Sequence, residues 1–282
     1  MEKLYDNHSR YQHIEVYGNE VGRSLVLDGK IQLITGDTHR YHEAMAVVPY
    51  LFTRFAKRIL ILGGGDGYAA KTLLDYFPVE EVAIVDIDPE VIEVSKAFFE
   101  FPDDERVKVI NEDAWEFVSR DKGKWEMVLA DYTDPSSPHA ARLFTVDHFK
   151  AIERCMTKYG VFNVQMVAPF FNPKAASCLV STIAHAFPRK NALPYRIYLP
   201  FHHAAAQQGF CAAVPGAIQL QLPQGLRFIN QYNIMSMFWL DADEGYVKMP
   251  ESTEENLLYA QLYRKPFDHN VKDWEVGFDA QT

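Results

Sequence analysis

The run Arg58-Ile59-Leu60-Ile61-Leu62 passes directly into Gly63-Gly64-Gly65-Asp66-Gly67, and this junction constrains the fold more than any other segment. A short apolar run with no polar alternation is a strand buried on both faces, as in a parallel sheet. Glycines placed just after it let the backbone turn tightly and approach a ligand. A helical pattern follows through Leu74, and the alternation then repeats. Strands are predicted over Val82 to Val85, Val107 to Ile110, Met127 to Ala130 and Val161 to Val167. Helices are predicted over Pro89 to Phe99, near Ala114 to Val118, and over Lys174 to Ala186. Alternating strands and helices imply right-handed crossovers and an α/β fold with a Rossmann-like, doubly wound sheet.

What precedes the junction has a different texture. Tyr11 to Tyr17 and Arg23 to Leu27 read as strands, and Asp28-Gly29 is a hairpin signal before a third, Ile31 to Ile34. A helix is expected from about Tyr41 to Phe55, and after Pro194 the chain is richer in strands, with a last helix near Glu254 to Tyr263. The expected organisation is a small β-strand domain over residues 1–52 and a Rossmann-like catalytic domain over 53–282.

Asp and Glu number 38 against 28 Lys and Arg, a formal net charge of -10, which disfavours nucleic acid and anionic membranes as partners and favours cationic ligands. Cys155, Cys178 and Cys211 show no CxxC spacing and read as buried, reduced residues. No stretch approaches the roughly 20 apolar residues that a membrane span requires, and the N-terminus lacks a signal-peptide pattern, so a soluble cytoplasmic protein is expected.

Acids recur where successive strands end. Asp86, then Asp88, closes the strand after the glycine loop, about 20 residues on, where a carboxylate can accept hydrogen bonds from ribose hydroxyls. Asp113 follows the next strand, where an adenine edge would lie. Each acid alone reads more readily as a helix cap; three in register point to a nucleoside. Asp66, inside the glycine loop with Gly63 and Gly65, would repel a pyrophosphate or an α-carboxylate and attract an ammonium group. The next strand delivers Asp131 to the carboxyl edge of the sheet, with Asp134 three residues later and Pro135 and Pro138 stiffening the loop. Spacing alone leaves turn formation open for these two acids. A sulfonium donor would give them a chemical role. The attacking alkylamine has a pKa of about 10.4, and nearby carboxylates can bind it, orient its lone pair and help its proton leave.

Taken together, the motifs resemble spermidine synthase and related polyamine aminopropyltransferases. The matching segments are Tyr11-Gln12-His13-Ile14, Leu27 to Gln32, Asp37 with Tyr41-His42-Glu43, Gly63 to Gly67, Val85 to Asp88, Asp113-Ala114 and Asp131 to Pro135. Leu143-Phe144, Gln165, Gly209-Phe210 and Leu226 to Asn230 extend the match over most of the chain. The resemblance implies a methyltransferase-type Rossmann domain behind an N-terminal β domain, assembled as a homodimer or homotetramer. It implies decarboxylated S-adenosylmethionine as co-substrate, with no tightly bound cofactor and no metal. Gln12 and His42 would hold the donor's tail and adenosyl group, Asp66 its amino group, Asp86 its ribose and Asp113 its adenine. Asp131 would serve the attacking amine, putrescine or a relative, with Tyr41, Asp134 and Gln165 in the acceptor site. The loop from Tyr132 to Leu143 would close over both substrates.

The chain also departs from that pattern. Asp86 stands for the usual Glu, Thr38 for a second acid after Asp37, and Tyr68 for a small residue. The closing loop is one residue longer and adds Arg142. Pro200 to Ala206, with His202 and His203, replaces the segment whose Tyr helps bind the acceptor. An amine N-methyltransferase and a non-catalytic nucleoside or polyamine sensor are therefore carried as alternatives, Asp66 disfavouring the first and the paired Asp131 and Asp134 the second.

Overall fold

Two sheets organise the chain, a computed structural model that describes residues 2–264 apart from 21, 54, 202–205 and 245. The smaller sheet is antiparallel, in the order β1 (Glu2–His8), β2 (His13–Asn19), β3 (Gly22–Leu27), β4 (Lys30–Ile34). Asp28 and Gly29 have φ of 48° and 74°, the left-handed pair that a two-residue hairpin between right-twisted strands demands. β1 was not legible in sequence, because Glu2 to His8 carries no buried apolar face; it joins by backbone pairing to β2. The inner face, Ile14, Val16, Leu25, Leu27 and Leu33, packs on Val91 and Val94, which fastens the small sheet to the larger unit.

The connection to that unit differs from the single helix expected over 41–55. It is α1 (Thr38–His42), a π turn over Glu43–Val47 and α2 (Val48–Tyr50). Pro49 has no N–H to give the carbonyl four residues back, so the ladder widens there. Met45 O instead accepts from Asn163 Nδ2 at 3.0 Å, and Ala44 O from Tyr195 Oη at 2.9 Å. These two bonds tie the segment to the large sheet, and residues 44–52 belong to its core.

The large sheet has seven strands, whose elements follow in chain order. They are β5 (Arg58–Gly63), α3 (Tyr68–Tyr76), β6 (Glu81–Asp86), α4 (Pro89–Phe98), β7 (Val107–Asn111), α5 (Ala114–Arg120), β8 (Trp125–Asp131), α6 (Pro138–Ala141), α7 (Val146–Cys155), β9 (Met156–Met166), α8 (Pro173–Ala186), β10 (Asn191–Leu199), β11 (Ala206–Val214) and α9 (Leu258–Arg264). The spatial order is β10-β11-β9-β8-β5-β6-β7. β5 to β9 run parallel, and β10 and β11 form an antiparallel hairpin beside β9. This is the Rossmann-like doubly wound fold expected from sequence, with a mixed edge. Pro194 lies inside β10, the edge strand, where a missing donor is tolerated. Leu60 and Leu62 enter one core and Ile59 and Ile61 the other, so β5 is covered on both faces. Cys155, Cys178 and Cys211 are free and buried. Among the described residues no helix is long and apolar enough to cross a membrane. Between β11 and α9 the described chain forms only two short 3₁₀ turns, Met235–Phe238 and Ala242–Glu244, and α9 begins later than the sequence pattern implied.

Candidate active site

The chain leaves β5 toward β6 and β7, then returns to place β8 on the other side of β5. That reversal opens a crevice at the carboxyl ends of β5 and β8, where ligands bind in open α/β sheets. Gly63, φ 78°, lets the backbone pass: a Cβ there would lie 2.2 Å from Asp131 O. At Gly65 a Cβ would meet Asp86 Oδ2 at 2.7 Å, and without it the Gly65 N–H donates to that oxygen at 3.0 Å.

Asp131, at the last position of β8, accepts a 2.6 Å hydrogen bond from Tyr41 Oη on α1. Next to Tyr41, His42 is 2% exposed; its Nδ1 donates to Thr38 O at 2.8 Å and lies 3.0 Å from Thr38 Oγ1. Nε2 is thereby aimed at Asp66 Oδ1, 3.5 Å away. His42 Nε2 and one oxygen each from Asp66 and Asp131 fall within 4.8 Å of one another. In sequence Thr38 stood out only as a departure from the family pattern; here its hydroxyl and carbonyl fix the histidine.

Two acids around one imidazole cannot all titrate normally. Burial pulls the His42 pKa down, but the charge and contact of Asp66, with the Asp131 charge and the Thr38 carbonyl, together outweigh it and the net shift is upward. Burial likewise raises Asp66, and the His42 contact together with the Tyr68 N–H overcomes it to leave the carboxyl below its ordinary range. Asp131 makes no ion pair of its own. Loss of hydration and then the Asp66 charge push it up to about 6, against the more distant His42 charge and the Tyr41 hydrogen bond. Burial also lifts Asp86 to about 6, opposed by the Asp88 and Gly65 N–H groups. A cation bound here is favoured, because it returns both carboxyls toward their ionised forms.

The remaining expected residues divide. Asp88 caps α4 through Glu90 N, and its other oxygen accepts from Ser9 Oγ at 2.6 Å and Gln12 Nε2 at 2.9 Å. Gln12 therefore reaches the nucleoside side of the crevice through Asp88. Asp113 caps α5, accepting from Trp115 N at 2.7 Å and Glu116 N at 3.3 Å, so the cap reading holds for it alongside any ligand role. Gln165 follows Val164, the β9 partner of Ala130, and donates to Tyr132 O. Asp134 faces Lys30 Nζ at 3.4 Å and lines a small cavity of about 40 Å³ with Gln165, Gln208, Phe144 and Tyr263. Sequence placed Lys30 in the hairpin segment without a site role, and it missed Gln208 and Tyr263, which no motif marks. Phe201 N donates to Asp37 Oδ2 at 2.8 Å; His202 and His203 lie outside the described residues. Glu43 is 2% exposed and accepts from the N–H groups of Arg227, Phe228 and Ile229 at 2.7, 3.0 and 2.8 Å. That contact ties two distant segments of the match to each other.

The spermine/spermidine synthase domain matches residues 38–210, and the spermidine synthase tetramerisation domain matches residues 1–34. The chain belongs to the spermine/spermidine synthase family. The polyamine aminopropyltransferase of Caldicellulosiruptor bescii is 34% identical over 204 residues, 70% of this chain and 71% of that one. That of Thermoplasma acidophilum is 30% identical over 251 residues, 87% of each. In fold the chain resembles a crystal structure of spermidine synthase in complex with the transition-state analogue AdoDATO, with a TM-score of 0.78, 24% identity and 85% of each chain covered. Within this spermine/spermidine synthase framework, Asp66, Asp86 and Asp131 converge on the β5–β8 crevice.

Proposed function

We propose that this chain is a polyamine aminopropyltransferase that moves the aminopropyl group of decarboxylated S-adenosylmethionine to putrescine or a related primary amine and releases methylthioadenosine. The observation that carries the reading is the pairing of Asp66 with His42 beside Asp131, a second carboxyl that has no ion pair of its own. It builds a site for two cations with a reacting centre between them. Asp66, in the glycine loop, receives the donor's terminal ammonium, and His42 fixes that carboxylate. Asp86 takes the ribose hydroxyls and Asp113 the base, with Gln12 held behind them by Asp88.

Transfer forms a C–N bond at the carbon beside the sulfonium while the C–S pair returns to sulfur, leaving a neutral thioether. The attacking nitrogen must arrive neutral and afterwards lose a proton. Tyr41 holds one oxygen of Asp131, and the other faces the amine, orienting its lone pair and taking the departing proton. Asp131 at about 6 in the free protein is a better proton acceptor than an ordinary Asp, although much weaker than the amine itself. Asp134 and Gln165 form the far side of the acceptor site.

The match of residues 1–34 supports assembly as a homodimer or homotetramer through the small sheet, and the acidic composition with three free, buried cysteines supports a cytoplasmic setting. In domain terms, 1–52 carries the assembly sheet and the helix bearing Tyr41 and His42, and 53–282 the catalytic unit. Calorimetry with decarboxylated and intact S-adenosylmethionine tests the reading. Preference for the decarboxylated form by at least about tenfold is expected, because Asp66 opposes the donor carboxylate; equal affinity would favour methyl transfer instead.

A further inference from the structure

We propose that Arg142, with His139, latches the closing loop onto Asp113 in the free enzyme, and that the donor's base must release this latch to bind. Arg142 follows α6 in the segment that the family pattern leaves shorter. Its Nη2 donates to Asp113 Oδ2 at 2.7 Å, and His139 Nε2 lies 2.9 Å from the same oxygen. The guanidinium also sits 5.4 Å from the Trp115 ring centroid, a cation–π distance. Its Nε is buried with no hydrogen-bond partner.

Asp113 has no room for a further donor. A carboxylate has about four lone-pair positions. At Asp113, Oδ1 is taken by the N–H groups of Trp115 and Glu116, and Oδ2 by Arg142 and His139. The two backbone donors belong to the first turn of α5 and stay. An exocyclic amino group seeking this carboxylate can only displace a side chain of the loop. The loop and the base therefore compete for one oxygen.

The latch also reaches the reacting loop. Trp115, under the guanidinium, stacks on His148 with centroids 5.3 Å apart, and His148 Nε2 lies 2.7 Å from Tyr132 Oη. Burial pulls the His148 pKa down to about 3, which keeps the ring neutral and able to accept from the Tyr132 hydroxyl. Tyr132 adjoins Asp131. Occupancy of the base site is thus connected, ring by ring, to the segment that carries the reacting carboxylate.

The latch rests on the proposed function, in which Asp113 receives the base, and two variants separate the one from the other. The probe is methylthioadenosine, which carries the base without the aminopropyl group. With a part-exposed ion pair holding the loop, Arg142→Gln is expected to tighten its binding about five-fold. The same variant should accelerate amide hydrogen exchange over residues 136–143 in the ligand-free protein. Asp113→Asn, which keeps the helix cap, should weaken methylthioadenosine at least about ten-fold. If Asp113→Asn weakens binding while Arg142→Gln leaves affinity and loop exchange unchanged, or weakens binding, the latch is refuted and the base site stands. If Asp113→Asn changes nothing, the base site itself is misassigned and the latch falls with it.

Discussion

Replacing Asp131 with Asn should make the free protein more stable while removing its activity. The carboxyl is lifted from 3.8 to about 6 by lost hydration and by Asp66. A shift of about two units corresponds to at most ~3 kcal/mol of disfavoured ionisation, and part exposure lowers this to about 1–2 kcal/mol. The sign follows from proton binding. Because the folded-state pKa is raised, the folded form holds this proton more tightly than the unfolded chain. The group's favourable contribution is complete below about pH 4 and is lost as pH rises toward about 6, leaving the full penalty above it. Asn keeps an acceptor for Tyr41 and carries no charge. At about 2–4 °C per kcal/mol for chains of this size, Asp131→Asn should raise Tm by about 2–8 °C at about pH 8, with the gain shrinking steadily toward about pH 5. Differential scanning calorimetry across that range measures it. A lower Tm at the alkaline end, or a gain independent of pH, would refute the electrostatic account of the site. Transfer should fall at least about a hundredfold in the same variant while methylthioadenosine still binds.

Tyr41→Phe removes the hydrogen bond that opposes the upward shift, so the acidic limb of the kcat/KM profile should move to higher pH; an unmoved limb in a variant of unchanged stability would detach Tyr41 from Asp131. Glu43→Gln turns an amide NH2, which cannot accept, toward at least one of the three backbone N–H groups, and should cost about 2–4 kcal/mol in chemical denaturation, with early proteolysis near residues 225–230. A loss under about 0.5 kcal/mol would mean the segment is held by other contacts.

How much of this was legible in sequence depends on the kind of interaction. The junction at Leu62–Gly63 announced the parallel core because burial on both faces leaves an unbroken apolar run, and Asp28-Gly29 announced a hairpin through its need for positive φ. Acids at strand ends were legible because the topology brings all parallel strand ends to one edge. β1 was not, since its pairing uses backbone groups that any sequence supplies. The π turn was hidden because its cause, Pro49, acts through a segment whose carbonyl partners, Asn163 and Tyr195, lie more than a hundred residues away. Lys30 and Tyr263 reach Asp134 from opposite ends of the chain, and no local pattern encodes such a meeting. Asp113 carries both readings at once, cap and ligand, which in sequence stand as rivals.

The most direct measurement is a single-turnover reaction with decarboxylated S-adenosylmethionine and putrescine, followed by mass spectrometry. Aminopropyl transfer predicts methylthioadenosine and an aminopropylated amine in equal amounts, both lost in Asp131→Asn. A methylated amine from intact S-adenosylmethionine, or no product with any diamine, triamine or agmatine while the nucleoside still binds, would contradict it.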